Sequence, residues 1–219
     1  MAVVYDMAIT LLRHGLTKEN EQKQYIGSLD VPLSKGGMKQ LKELAALSYP
    51  KADLFVTSDL KRCQQTYELL FPSTSSPLFV MNEWREIHFG DWEGKTYDEL
   101  KMLPEYQQWL TQPFGIAPPN GESFLQFQAR VEKGLWKVME LFSTFHVRHI
   151  AVVTHGGPIR YILERYAPVE RSFWDWHVPF GCGFTLYSTL ERWRERKRCI
   201  LLSVVPFKEN ENGLKNIIN

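Results

Sequence analysis

Short apolar runs typical of buried β-strands alternate along this chain with longer patterns typical of amphipathic helices. Each run is rich in Val, Ile, Leu or Phe and bounded by polar or turn residues, and the first four span 8–12, 53–57, 78–81 and 150–154. Helical spacing of apolar residues follows over 35–47, 60–70, 123–145 and 158–165. Repeated strand–helix units predict an α/β fold, a three-layer α/β/α sandwich with helices on both faces of a central, mainly parallel sheet.

Two further strand-like runs, 184–189 and 199–205, follow each other near the end of the chain with no helical pattern between them. Strands joined without a crossover helix pair antiparallel, so we expect the sheet to be mixed at one edge. The basic segment 191–198, ERWRERKR, is interpreted as a solvated hairpin between these two strands. With 219 residues and no repeat or linker, we expect a single domain over 1–219, with a lid or insert at about 95–121.

The charge balance and the spacing of the cysteines argue against nucleic acid, membrane, a disulfide framework and a metal site. Lys and Arg number 26 against 25 Asp and Glu, a net charge of +1, so no overall field attracts nucleic acid or an anionic membrane. The three cysteines have neither metal-binding nor disulfide spacing, which favours reduced thiols in the cytoplasm. No apolar run approaches the ~18 residues of a membrane span, and no signal peptide is evident. We therefore expect a cytoplasmic protein that binds neither nucleic acid nor membrane.

Polar side chains follow the predicted strands at the edge where open α/β sheets bind their ligands. The first strand ends in the triplet RHG at 13–15, and the fourth ends in THG at 154–156. The helix after the second strand carries Arg62, and the segment after the third carries Glu86. Burying an arginine and a histidine at the end of an apolar strand is costly, which favours a functional role for them. We expect these groups to converge on one rim of the sheet.

The residue types at this rim are suited to a phosphate group. Arg13 and Arg62 carry planar guanidinium groups that bind phosphate oxygens in pairs. A neutral imidazole such as that of His14 is a competent nucleophile. His155 precedes a helix N-terminus, where free N–H groups favour an anion, and Gly156 after it lets the backbone approach the ligand. The rim therefore predicts phosphoryl transfer aided by fixed positive charges, without a metal ion or other cofactor.

An acid that protonates the leaving oxygen would complete this chemistry, and Glu86 is the leading candidate. Glu93 in the same segment and Glu122 further along the chain remain alternatives. His146 and His149 lie three residues apart, but no third ligand is near them in the sequence, so we expect no metal site there.

Four segments resemble the motifs of the histidine phosphatase superfamily, whose fold is that of the phosphoglycerate mutases. They are LLRHGLT with Asn20, TSDLKRCQQT, REIHFGDWEG and VVTHGGPIR, in the family's order between about Ile9 and Arg160. One position departs from the family, which commonly has Glu after the RHG triplet where this chain has Leu16. Because Leu16 is not among the expected phosphate ligands, the departure concerns substrate contacts rather than catalysis.

The resemblance implies a role for each matched residue. His14 would attack phosphorus and become a phosphohistidine. Glu86 would protonate the leaving group and later help water to attack the intermediate. The phosphoryl oxygens would be held by Arg13, Asn20, Arg62, His155 and Gly156.

Further segments indicate a branch of the superfamily. Mutases of this fold are typically longer after the acid motif, whereas only a short insert separates Gly94 from Gly121 here, so hydrolysis is favoured. FGDWEG with PPNGESFLQFQARV, and HVPFGCGFTLY, resemble the α-ribazole-phosphate phosphatases of cobalamin nucleotide-loop assembly. The expected partner is a small phosphorylated metabolite such as α-ribazole 5'-phosphate, and the expected state is a monomer or homodimer. A broad-specificity phosphatase, a phosphoglycerate mutase and a non-catalytic relative that binds phosphorylated ligands remain alternatives.

The insert is rich in aromatic residues, among them Tyr97, Tyr106, Trp109 and Phe114. Such rings are suited to stack on a flat, base-like leaving group. They are equally suited to pack the insert against the rest of the protein, and the sequence leaves both interpretations open.

Overall fold

The computed structural model describes residues 5–207 and the backbone of 217–218. The strands in this part of the chain are β1 (Met7–Arg13), β2 (Leu54–Thr57), β3 (Leu78–Val80), β4 (His149–Thr154), β5 (Gly183–Ser188), β6 (Leu201–Val205) and β7 (Ile217–Ile218). The α-helices are α1 (Lys18–Glu21), α2 (Lys35–Leu44), α3 (Lys61–Leu70), α4 (Tyr97–Leu100), α5 (Pro104–Thr111), α6 (Phe124–Phe145), α7 (Gly156–Tyr166) and α8 (Leu190–Arg194). Short 3-10 helices cover Asn82–Trp84, Gly90–Trp92 and Phe173–Asp175.

The strands form one sheet in the order β3-β2-β4-β1-β5-β6-β7. The neighbours among β3, β2, β4 and β1 run parallel, and β5, β6 and β7 add antiparallel pairs beyond β1. The predicted α/β sandwich with a mainly parallel sheet mixed at one edge is confirmed. In the central pair, Arg13 of β1 lies beside Thr154 of β4. The residues that follow, His14 and His155, therefore leave the sheet at the same level.

The two central strands bury side chains on both faces of the sheet, as expected for parallel strands covered by helices. On one face, Ile9 and Leu11 belong to the large core cluster that includes apolar residues of α6 and α7. On the other face, Leu12 and Val153 pack with Cys63 of α3. Successive residues of β1 thus point to opposite layers, which holds the strand rigidly in place.

The start of the long helix α6 and its buried face both follow from the local sequence. Ser123 caps its N-terminus by accepting the backbone N–H of Gln126, whose side chain in turn accepts the N–H of Ser123. This capping box stabilises the helix start by about 1 kcal/mol. The apolar residues predicted from the 3–4 spacing face the core, among them Phe127, Val131 and Leu135.

The connection between β5 and β6 differs from the prediction of a solvated hairpin. It contains the short helix α8, which Thr189 caps by accepting the N–H of Arg192. Trp193 is buried against the ring of Tyr166, at a centroid distance of 4.9 Å. The expectation of no helix between these strands was wrong because apolar burial of one tryptophan outweighed the basic composition around it. Strand β6 accordingly begins at Leu201 rather than at residue 199.

The insert at 95–121 contains α4 and α5, followed by irregular chain. Tyr106 and Trp109 of α5 pack with Trp92 and Leu100 in a separate apolar cluster. The hydroxyl groups of Tyr106 and Tyr25 lie 2.6 Å apart in a hydrogen bond. The insert is therefore tied to the segment that follows Glu86 and to the segment before α2.

Among the helices that the structure describes, none combines the length and apolar character needed to cross a membrane.

Candidate active site

The two histidines of the RHG and THG motifs lie side by side beyond the carboxyl ends of β1 and β4. Their ring centroids are 5.0 Å apart in an edge-on arrangement. The side chain of His14 is 3% exposed, and His155 is fully buried. The parallel pairing of the two central strands brings together residues 141 positions apart in the sequence, as the motifs predicted.

The protonation state of His14 follows from its neighbours. Its Nδ1 lies 2.7 Å from the carbonyl oxygen of Gly15. A carbonyl only accepts, so Nδ1 carries the proton, and in the neutral ring Nε2 keeps a lone pair. Burial lowers the pKa of His14 well below its usual 6.5, and the positive charges of Arg62 and Arg13 lower it further. His14 is therefore a neutral imidazole with a free Nε2 at neutral pH.

Main-chain carbonyls orient the two arginines beside His14. The Nη1 and Nη2 atoms of Arg62 donate to the carbonyls of Leu29 and Gly27, both at 2.6 Å. Nη1 of Arg13 donates to the carbonyl of Val178 at 2.7 Å, and its guanidinium lies 3.7 Å from the centre of the Phe180 ring.

The Nε atoms of Arg13 and Arg62 are buried and have no hydrogen-bond partner among the described residues. A buried N–H without an acceptor is unfavourable, so these donors fit a site that binds an anion. Burial lowers the pKa of Arg13 to about 10, which leaves it charged at neutral pH.

Glu86 lies at the N-terminus of α7, the helix that follows His155. Its Oε2 accepts the N–H of Gly157 at 2.9 Å, and its Oε1 accepts the N–H of Ile87 at 3.1 Å. A Cβ atom at Gly157 would lie 2.0 Å from Oε1 of Glu86. Only glycine at this position leaves room for the carboxylate.

The other two candidate acids lie elsewhere. Glu93 accepts backbone N–H groups of Gly27 and Ser28, both at 2.9 Å. Glu122 forms an ion pair with Arg130, with an N–O distance of 2.6 Å. Neither lines the cleft described below, which Glu86 does.

His155 is the N-cap residue of α7 and the last residue before it. Its Nε2 lies 3.1 Å from Oγ of Ser58 and 3.4 Å from Sγ of Cys63. Burial, with the charge of Arg62, lowers the pKa of His155 well below its usual range. Burial also raises the pKa of the Cys63 thiol to about 12, which makes it a neutral packing group.

The remaining predicted residues border the same region. Asn20 lines the cleft, and its Oδ1 accepts from the hydroxyl of Thr17 at 3.2 Å as part of the cap of α1. Its amide NH₂ is the part left to donate to a ligand. Gly156 is the first residue of α7, and the guanidinium groups of Arg13 and Arg160 approach it. The structure thus groups all the residues predicted for the site around one end of the sheet.

A cleft of about 480 Å³ opens beyond Arg13 and Glu86. Its wall is mainly apolar and rich in aromatic rings, which include Tyr25, Trp109, Phe114, Phe124, Phe173 and Trp174. Phe114 and Trp174 are stacked at the surface, with centroids 6.1 Å apart and planes 16° apart. The volume and the aromatic lining are typical of a site for a small organic ligand.

The insert contributes to this cleft unequally. Trp109 and Phe114 line it, whereas Tyr106 is buried in the packing of the insert. Tyr97 is exposed and lies outside the lining. The packing interpretation therefore holds for Tyr106, and stacking of Trp109 and Phe114 on a ligand stays a prediction.

Arg160 is a cleft residue that the sequence reasoning did not select. Its Nε donates to the carbonyl of Trp176 at 3.0 Å, and its guanidinium lies near Arg13 and the ring of Trp174. It lies four residues after Gly156, one turn along the same helix face, and this spacing is the signal that could have found it. Leu16, the departure from the family motif, does not line the cleft.

Within residues 5–207, no group of three or more His, Cys, Asp or Glu side chains is placed to hold a metal ion. His149 instead bonds to the hydroxyl of Thr10 at 2.7 Å, and His146 ends α6 in a left-handed backbone conformation. The absence of a metal requirement stays a prediction.

A mixed α/β sheet with paired histidines and arginines at its carboxyl end is an arrangement suited to a protein that acts on phosphate groups. The sequence profile of the histidine phosphatase superfamily (branch 1) matches residues 9–203. The chain therefore belongs to the histidine phosphatase superfamily.

Individual relatives show which members of the superfamily this chain is similar to. The adenosylcobalamin/α-ribazole phosphatase of Escherichia coli (strain K12) is 32% identical over 181 residues, which cover 80% of this chain and 87% of that protein. Phosphoserine phosphatase 1 of Hydrogenobacter thermophilus is 32% identical over 203 residues, 88% of this chain and 90% of that one. The crystal structure of the α-ribazole phosphatase from Shigella flexneri has a TM-score of 0.74 at 30% identity, covering 82% of this chain and 90% of the other. The chain is a phosphatase of this superfamily, similar to α-ribazole phosphatases.

The buried histidines predict how stability depends on pH. Burial lowers the pKa values of His14, His149 and His155 in the folded protein, whereas in the unfolded chain each histidine titrates near 6.5. The unfolded state therefore binds more protons as the pH falls. The free energy of unfolding should decrease below about pH 6.5, with a limiting slope of about 1.4 kcal/mol per pH unit for each histidine that stays neutral in the folded protein. Urea unfolding between about pH 8 and about pH 5.5 measures this slope.

In the variant His149→Gln the amide replaces the ring beside Thr10. This variant should make the pH dependence of the free energy of unfolding less steep, because it removes one histidine whose pKa is lowered by folding. A free energy of unfolding that stays constant or rises as the pH falls to about 5.5 would contradict the assignment of neutral buried imidazoles.

Proposed function

We propose that this phosphatase hydrolyses phosphomonoesters without a metal ion, through a phosphohistidine formed on Nε2 of His14. The observation that carries this proposal is the hydrogen bond from Nδ1 of His14 to the Gly15 carbonyl, which leaves Nε2 as the nucleophilic atom. In the first step Nε2 forms a bond to phosphorus while the bond from phosphorus to the ester oxygen breaks. In the second step water attacks the phosphohistidine, and inorganic phosphate leaves with His14 restored.

The positive charges around His14 support this chemistry. The transferred phosphoryl group carries negative charge on its three equatorial oxygens, which fixed donors stabilise without reorganisation. The buried, unpartnered Nε–H groups of Arg13 and Arg62 are such donors. In the proposal they bind the phosphoryl oxygens together with His155, Asn20 and the N-terminal N–H of Gly156.

Glu86 is the proposed general acid. It is the carboxylate that lines the cleft, and it borders the same cavity as Arg13. Its proton passes to the departing ester oxygen in the first step, and its carboxylate accepts a proton from the attacking water in the second.

Replacing His14 by alanine should abolish phosphate release from an aryl phosphate, because no other nucleophile stands at this position. Activity of the parent protein should be unchanged by EDTA. Rapid quenching during turnover should trap a phosphoprotein that is stable in base and labile in acid, as a phosphoramidate is. The matched control is His88→Ala, since the hydrogen bonds of His88 with Glu122 are made by its backbone, which alanine keeps.

The mechanism is wrong if chelation removes the activity, or if His14→Ala still forms the acid-labile phosphoprotein. A parent protein that binds phosphate esters but releases no phosphate would instead favour a non-catalytic relative.

Replacing Glu86 by glutamine should slow hydrolysis according to the leaving group. The amide has no proton to donate, so esters of alcohols with a high pKa should lose about 10²–10⁴-fold in kcat/KM, and activated aryl esters much less. The measurement is a series of phosphate esters graded by the pKa of the leaving alcohol. Equal losses across the series would show that Glu86 is not the acid.

For the substrate, we propose α-ribazole 5'-phosphate, whose leaving group carries a flat aromatic base. Two observations support it: relatives of that name at about 30% identity, and the aromatic rings in the wall of the cleft. Another relative, a phosphoserine phosphatase, is also 32% identical, so a broader specificity is the second candidate. A phosphoglycerate mutase is the third, and it would transfer phosphate between positions of glycerate faster than it releases phosphate.

A substrate panel tests this choice. Among α-ribazole 5'-phosphate, phosphoserine and 3-phosphoglycerate, the first should have the highest kcat/KM. Trp174→Ala should lower that value by about tenfold or more, because base–aromatic stacking contributes about 1–3 kcal/mol. It should change phosphoserine hydrolysis little, and Tyr97→Ala, an exposed ring outside the cleft, is the matched control. A flat ranking would favour a broad-specificity enzyme.

A further inference from the structure

The segment between α1 and α2 determines how Arg62 is oriented. Arg62 lies in the first turn of α3, and its two Nη atoms donate to the carbonyls of Gly27 and Leu29 at 2.6 Å. Asp30, next in the chain, accepts the N–H of Lys61 at 2.7 Å. The position of the guanidinium therefore depends on where the backbone of residues 27–29 lies.

One carboxylate holds that backbone from the other side. Oε2 of Glu93 accepts the N–H of Gly27 at 2.9 Å, and Oε1 accepts the N–H of Ser28 at 2.9 Å. Oε1 also accepts the N–H of Phe89 at 2.9 Å, within the segment that carries Glu86. The backbone of residues 27–29 thus donates N–H groups to Glu93 and accepts hydrogen bonds from Arg62 through its carbonyls.

The close approach of these two segments depends on glycine. A Cβ atom at Gly27 would lie 1.8 Å from the carbonyl oxygen of Ile87 and 2.7 Å from Oε1 of Glu93. The charges are also complementary: burial lowers the pKa of Arg62, and the negative charge of Glu93 acts in the opposite direction. Backbone peptides between a carboxylate and a guanidinium are polarised by both, which strengthens each hydrogen bond.

We propose that Glu93 is a positioning residue, which fixes the backbone of residues 27–29 so that the Nε–H of Arg62 points at the phosphoryl group. Glu93 acts through Arg62 rather than on the substrate, because both of its carboxylate oxygens accept backbone N–H groups, those of Gly27, Ser28 and Phe89. Without its carboxylate, the N–H groups of Gly27, Ser28 and Phe89 lose their acceptor, the loop relaxes, and the carbonyls that hold Arg62 move with it. This inference rests on the proposed role of Arg62 in phosphate binding.

The test is a double-mutant cycle read out by phosphate binding, which needs no turnover. Calorimetry with inorganic phosphate is carried out on the parent, Glu93→Gln, Arg62→Gln and the double variant. Glu93→Gln should weaken phosphate binding about tenfold in the parent and less than about twofold when Arg62 is already replaced. Glu93→Asp keeps the charge but shortens the side chain, so it should give an intermediate loss of phosphate affinity. It takes the place of Glu93→Gln in the cycle if that variant does not fold.

The matched control is Glu122→Gln. Like Glu93, Glu122 is a half-buried carboxylate that accepts a backbone N–H, but it pairs with Arg130 and does not touch residues 27–29. It should leave phosphate affinity within about twofold of the parent. Equal losses for Glu93→Gln in both backgrounds, or the same loss for Glu122→Gln, would reduce Glu93 to a general structural role and overturn the proposal. A failure of the phosphatase mechanism is distinguishable, because it would appear as an absent phosphoprotein in the parent rather than in this cycle.

Discussion

The parallel pairing of β1 with β4 is the constraint on which the site depends. Its register places Arg13 beside Thr154, so both strands end at the same level and deliver His14 and His155 as neighbours. Core packing on both faces of β1 leaves the strand no freedom to shift, because a one-residue slip would turn its apolar side chains to the wrong layers. The positions of His14 and His155 are thus set by the register and packing of the sheet.

Positive charge in this protein is local rather than general. The chain has a net charge of +1, yet the ion pairs among the described residues leave Arg13, Arg62 and Arg160 without a carboxylate partner. Main-chain carbonyls hold these arginines instead. A carbonyl orients a guanidinium without neutralising it, so the full charge remains available to an anion. Such an arrangement costs folding free energy, which the large buried core offsets.

Much of the fold and the set of residues at the site could be predicted from the sequence, because both depend on patterns within short segments of the chain. Strand and helix periods indicated the sheet, and the residues after the strand ends indicated the rim. The helix α8 was missed, since its stability comes from the burial of Trp193 against a ring 27 positions earlier in the chain. The choice between Glu86 and Glu93 also needed coordinates. Both carboxylates accept backbone N–H groups, and which of them faces the cleft depends on the packing of distant loops.

Gly157 has a consequence for how a family with this site can evolve. The N–H that it donates to Glu86 spans 71 positions of sequence, and any side chain on it would occupy the place of the carboxylate. A lineage cannot acquire a larger residue there and keep the Glu86 carboxylate where it is. Gly157 and Glu86 therefore constrain each other, although they belong to two different motifs. We expect relatives that keep the glutamate in this position to keep the glycine, and relatives that replace either residue to lose this arrangement.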